Sequence, residues 1–154
     1  ISAQTLRPMT SLPAISLGSD HGGFALRRGL ADALRARGHA VLDRGSETEA
    51  SCDYPDYAQA VGADVTAGRA RFGILVCTTG IGISIAANKI RGVRAALVQS
   101  ADAAGLSRRH NDANVLCFGA KYVDLPLALA CLDAFLSSEF EGGRHCRRVD
   151  KLEP

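Results

Sequence analysis

The chain has 154 residues, 47% of them hydrophobic and 22% charged, with 5 Cys, 5 Phe, 3 Tyr and no Trp, a size at which one domain buries roughly 70% of its unfolded surface in a single core. So few aromatics leave few stacking platforms for single-stranded nucleic acid, and a net charge of +2 with both signs interspersed offers no basic face to a phosphate backbone. No apolar run approaches the roughly 18 residues of a membrane span and no secretory signal pattern opens the chain, so it is expected to be soluble and cytoplasmic.

Ile1 to Pro8 precede the only methionine, Met9, and residues 1–13 are read as an extension or expression remnant before a single domain over 14–154. The first strand is expected over Ala14–Leu17, running into Gly18-Ser19-Asp20-His21-Gly22-Gly23. A helix follows over Phe24–Arg37, where Leu26, Leu30 and Leu34 recur every fourth residue and Gly38 supplies a stop. Ala40–Leu42 predicts a second strand. After a polar loop from Asp43 to Asp53 comes a helix with Tyr54, Tyr57, Ala58, Val61 and Val65 on one stripe, which Asp53 is placed to cap and Pro55 to start. Phe72–Cys77 is a continuous apolar run of the kind that parallel sheets bury on both faces, with a helix over Gly82–Lys89 behind it. Val93–Val98 and Val115–Phe118 complete the strands, separated by a helix over Ser100–Arg109 and followed by a Leu-rich helix over Leu125–Leu136. This alternation predicts an α/β fold, a three-layer α/β/α Rossmann-like domain on a five-stranded parallel sheet. The tail from Glu141 opens with Gly142-Gly143 and carries Arg144, His145, Arg147, Arg148 and Lys151, a basic segment expected to reach beyond its own domain.

Ligands of an open parallel sheet bind beyond the carboxyl ends of its strands. That rule selects Asp20 and His21 after the first strand, Cys77-Thr78-Thr79-Gly80-Ile81-Gly82 after the third and Gly119-Ala120-Lys121 after the fifth. Glycines at 80 and 82 let the backbone approach a ligand, and the helix N-terminus behind them favours an anion. The dinucleotide fingerprint fails at Ile85, no Gly-Lys-Ser/Thr closes a P-loop, and a Cys-x5-Arg phosphatase loop fails at Ile83. Cys77 against that N-terminus is in a setting that stabilises a thiolate, fit for a base or nucleophile; equally, a Cys ending Ile-Leu-Val is a small buried hydrophobe. Thr78, Thr79 and Asp20 have helix capping as their plainer role. His110 and Asn111 precede the fifth strand, at the opposite end of the sheet from the carboxyl rim, so either their loop curls back or His110 serves a second subunit. Arg144 and Arg148 share a face if the tail is helical, and two guanidinium forks suit a phosphate, although a solvated basic tail is the default. The odd count of cysteines, without a Cys-x-x-Cys pair, reads as reduced thiols and gives no metal site.

Taken together, Gly18 to Phe24, Asp53-Tyr54-Pro55, Cys77 to Lys89, Ser107 to Asn114 and Gly142-Gly143-Arg144-His145 closely resemble the ribose-5-phosphate isomerase B branch of the ribose/galactose isomerase family, over about Ile15 to Val149. The resemblance implies interconversion of ribose 5-phosphate and ribulose 5-phosphate through an enediolate, without metal or organic cofactor. It also implies a homodimer, or a pair of dimers, whose sites are shared between subunits. By the same resemblance Cys77 is the base and His110, with Thr79, the ring-opening proton shuttle. Backbone amides from Thr79 to Ser84, including Gly80, Ile81 and Gly82, receive the developing oxyanion. Asp20, Asn111 and Thr78 face the sugar, and His21, Arg144 and Arg148 clamp the phosphate. Lys121 stands where the family commonly has Arg, and Thr78 where Gly is frequent. A six-carbon aldose 6-phosphate isomerase and a non-catalytic sugar-phosphate-binding protein are the alternatives; the second needs an anion site but neither base nor shuttle.

Overall fold

The computed structural model describes residues 12–153; most of the expected extension over 1–13 lies outside the described residues. The strands β1 (Ile15–Ser19), β2 (Val41–Asp43), β3 (Phe72–Cys77), β4 (Ala95–Leu97) and β5 (Val115–Gly119) form one parallel sheet in the order β2-β1-β3-β5-β4. The helices are α1 (Phe24–Ala36), α2 (Tyr54–Thr66), α3 (Ile81–Asn88), α4 (Ala101–Asn111), α5 (Leu125–Leu136) and α6 (Arg144–Asp150). This is the three-layer α/β/α architecture expected from the sequence.

Successive strand residues point to opposite faces, and here both faces are covered. Ile15, Leu17, Ile74, Val76, Leu116 and Phe118 pack with Leu30, Leu34, Ala104, Leu132 and Phe135 of α1, α4 and α5. Leu75, Cys77, Val115 and Cys117 pack on the other face with Ala58, Val61, Ile83 and Ala87 of α2 and α3. Helix α2 lies close over the sheet centre because β3 carries no side chain at Gly73, where a Cβ would stand 2.5 Å from Val61 Cγ1.

Element ends differ from the sequence expectation where side chains or glycines decide them. Strand β4 is shorter than Val93–Val98 because Gly92 turns with φ 88° and Asn88 takes over Ala95, accepting its N–H at 2.8 Å and donating to its carbonyl at 2.9 Å. Helix α3 starts one residue early, since Gly80 makes the turn at φ 76°. Helix α4 runs on through Asn111 and stops at Asp112, whose φ is 48° and whose carboxylate is held by Arg108 at 2.8 Å and Arg94 at 3.4 Å. Asp53 occupies the N-cap position of α2, but its side chain makes no capping hydrogen bond. The tail folds into α6, so Arg144 and Arg148 do lie one turn apart.

Candidate active site

In this strand order the connections diverge between β1 and β3, the switch point outside whose carboxyl ends open parallel sheets bind ligands, and the loops after those two strands lie there. Asp20 follows β1 and is 6% exposed; its Oδ1 accepts from the amides of Gly22 at 2.9 Å and Gly23 at 3.2 Å. The plainer role of Asp20, capping the next turn, is therefore filled, and its other oxygen makes no hydrogen bond within the described residues. Thr78 reaches this loop from β3: a Cβ at Gly22 would run into Thr78 Oγ1, so only glycine lets the two loops close on each other.

Cys77 ends β3 on the α2/α3 face, 4% exposed. Its Sγ accepts from the Gly80 amide at 3.2 Å, and Thr79 Oγ1 accepts from the Ile81 amide at 3.3 Å. Ser84 is buried, with its hydroxyl donating to Ile81 O at 2.8 Å and its amide bonded to Gly80 O. These bonds leave the Gly82 and Ile83 amides, in the first turn of α3, without a partner among the described residues, as helix N-termini do. An anion held there meets two donors and the positive end of the helix dipole. The neighbouring thiol is no competitor for the chemistry: burial first, then proximity to Cys77, pushes the Cys117 thiol up. Burial likewise pushes Cys131 up.

Around this centre His21 is exposed and its Nδ1 accepts from the Cys52 amide at 3.2 Å. Lys121 hangs from the same rim, its amide bonded to Thr78 O at 3.0 Å and its Nζ 5.8 Å from the centre of the Tyr122 ring. Tyr54 closes another side, since a Cβ at Gly82 would stand 2.5 Å from its ring. Tyr54 belongs to the Asp53-Tyr54-Pro55 motif and has no site role among the sequence expectations.

The remaining candidates lie elsewhere. Helix α4 starts beyond the carboxyl end of β4 and returns to the amino end of β5, which puts His110 and Asn111, in its last turn, away from Cys77. There His110 stacks on His145, with ring centres 4.4 Å apart and planes 13° from parallel. Both Nε2 atoms approach Glu141 Oε1, at 3.6 and 3.7 Å. Burial, then Arg144 and His110, hold the His145 imidazole below its ordinary pKa. Arg148 joins His110, Asn111 and His145 around a cavity of about 280 Å³, while Arg144 is exposed on the same helix. One chain thus carries two half-sets: Asp20, His21, Cys77–Ser84 and Lys121 on the rim, and His110, Asn111, Arg144 and Arg148 by the tail. Glu141 and His145 have no role among the sequence expectations; a Glu and a His four residues apart across Gly-Gly is the signal that points to them.

A parallel-sheet domain with a thiol and an open helix N-terminus at its switch point, and imidazoles and guanidiniums presented by its tail, has the parts of an acid–base enzyme for a small anion. The model of the Ribose/Galactose Isomerase family matches residues 15–152, and the chain belongs to that family. It is 46% identical over 138 residues to ribose-5-phosphate isomerase B of Escherichia coli K12, covering 90% of this chain and 93% of that protein. The structure of ribose-5-phosphate isomerase B from Clostridium thermocellum superimposes with a TM-score of 0.89 at 49% identity, covering 90% of this chain and 94% of that one. That from Mycoplasma genitalium, with bound ribulose-5-phosphate, gives a TM-score of 0.86 at 42% identity, covering 90% and 93%. Among the described residues no helix is long and apolar enough to cross a membrane.

Proposed function

We propose that the chain interconverts ribose 5-phosphate and ribulose 5-phosphate through an enediolate, as a cytoplasmic homodimer with shared sites. The observation that carries this reading is the Cys77 thiol held beside the open first turn of α3, with the Gly80 amide 3.2 Å from Sγ. The sulfur lies at the end of β3, against the helix N-terminus where the substrate's oxygens would be held. In the reaction Cys77, as the base, takes the proton from C2 of the open-chain aldose and returns it to C1. The Gly82 and Ile83 amides receive the oxygen on which charge develops, a preorganised role that costs no rearrangement at the moment of reaction.

Ring opening needs a proton shuttle and the phosphate needs fixed cations, and the second half-set supplies both. His110, working with Thr79, is the shuttle. Arg144 and Arg148 join His21 on the phosphate, and Asp20 and Asn111 hold sugar hydroxyls. The two half-sets meet when a partner's tail lies across the rim. An apolar patch beside the rim supports that docking: Ile81 and Ile85, one turn apart on α3, are 52% and 55% exposed, and Leu97 at the end of β4 is 37% exposed. Thr78 takes up room beside Gly22, which favours a five-carbon over a six-carbon sugar.

Turnover on purified protein tests the reading: ribose 5-phosphate should exceed allose 6-phosphate and galactose 6-phosphate by at least about tenfold in kcat/KM, a difference that one pocket side chain can supply. Cys77→Ser should lower kcat by about 10²–10⁴-fold and abolish C2 proton exchange in deuterated water while KM stays close to its original value. Equal turnover of a six-carbon substrate would move the assignment to that class. Undiminished exchange in Cys77→Ser would remove the thiol from the reaction.

A further inference from the structure

We propose that His110, Glu141 and His145 form a binding site for one zinc-class divalent ion, which ties the tail helix α6 to the end of α4. One ligand atom from each lies within 4.8 Å of the other two. Glu141 Oε1 is 3.6 Å from His110 Nε2 and 3.7 Å from His145 Nε2. In a tetrahedral zinc site with bonds near 2.1 Å, ligand atoms lie about 3.4 Å apart, so the carboxylate–imidazole spacings need to close by a few tenths of an ångström, and the two rings, stacked 13° from parallel, must turn out of the stack to aim both Nε2 lone pairs at one ion. Two imidazoles and one carboxylate are the donor set that borderline ions such as Zn²⁺ and Co²⁺ prefer, and one that Mg²⁺ and Ca²⁺ do not.

A second observation points to a ligand at this place. His145 is 6% exposed, yet its Nε2 is buried without a hydrogen-bond partner. A buried polar atom left unpaired is costly, and an ion bound in the ring plane at that nitrogen removes that cost. The backbone holds the three residues in place independently of any ion. The Glu141 amide donates to Arg109 O at 3.0 Å and the His145 amide to Gly142 O at 3.0 Å, while Gly142 and Gly143 turn the chain with φ of 67° and 55°. The adjoining cavity of about 280 Å³, with Arg148 in its wall, leaves room for water or an anion as the fourth ligand. The nearby arginines oppose a cation, so the affinity belongs in the micromolar range rather than the nanomolar range of structural zinc.

Bound metal would occupy Nε2 of His110, the atom assigned to ring opening, so zinc becomes an inhibitor; this consequence rests on the proposed reaction. The test uses the full chain and Co²⁺ as probe. One equivalent should give visible d–d absorption, be displaced by Zn²⁺ and be unaffected by Mg²⁺. Glu141→Gln and His145→Gln should each weaken Co²⁺ binding by about 10–100-fold, with far-UV circular dichroism confirming that each variant is folded, whereas Cys146→Ser should bind as the parent does. The proposal is overturned by an absence of saturable binding, by unchanged binding in Glu141→Gln, or by a near-ultraviolet thiolate band that disappears in Cys146→Ser. Zinc should also inhibit the parent enzyme and spare Glu141→Gln. Binding without inhibition would uphold the site and exclude His110 from the proton shuttle.

Discussion

Asp64 shows how much one side chain can carry in this fold. It sits in α2, 1% exposed, and accepts from Ser16 Oγ at 2.7 Å, from Arg44 at 2.6 and 2.8 Å and from Arg69 at 2.8 Å. Burial pushes its carboxyl up, but the donors outweigh burial and hold it at about 2 against an ordinary 3.8. Because the folded pKa is depressed, the stabilisation is complete above about pH 4 and is lost as pH falls through 2, an increment of about 2 kcal/mol. Asp64→Asn should lower the unfolding free energy at pH 7 by about that amount, seen as a lower urea midpoint with m unchanged, and should flatten the acid limb of stability below pH 4. An acid limb as steep as the parent's would contradict this account. The same residue-scale reasoning separates the cysteines. Their sequence positions single out Cys77 at a strand end, but only packing shows Cys117 sealed on the same face and Cys131 sealed on the other.

At the scale of elements, the turn from β3 into α3 does the positioning, and glycine governs it from two sides. Gly80 supplies the left-handed residue. From the neighbouring strand Gly119 supplies space, since a Cβ there would overlap the backbone of Thr79. Gly119→Ala should therefore displace Thr79 and Gly80 relative to Cys77, at a cost of about 1–3 kcal/mol in stability. Turnover should fall at least tenfold in protein that still melts cooperatively; native turnover would show that the turn tolerates displacement. The glycine-rich turn after a strand was legible in the sequence, because a chain needs glycine wherever φ is positive or backbones touch. The ends of β4 and α4 were not, because side-chain bonds from Asn88, Arg94 and Arg108 set them, and those partners meet only after folding.

For the whole molecule, the two half-sets make a direct prediction about assembly. A Cys77→Ala chain and an Arg148→Ala chain, each nearly inactive alone, should recover about one quarter of parental activity when co-expressed at equal amounts. Half of the random dimers are then mixed, and each mixed dimer rebuilds one of its two sites. Failure of mixed dimers, isolated by dual tags, to show any activity would count against shared sites. The exposed Ile81, Ile85 and Leu97 are the surface on which the association would rest, since contiguous exposed apolar groups beside polar ones mark contact sites.

The order of strands and helices, the parallel sheet and the rim loops were determined by the sequence itself, because apolar period, glycine placement and strand-end chemistry are local properties of the chain. The long matching motifs around Cys77 and His110 likewise carried the family. Tertiary structure alone decided between the two readings of His110, setting it apart from Cys77 within one chain, and stacked His145 on His110 beside Glu141. Those relations join residues far apart in sequence, and no local pattern encodes a distance across a sheet.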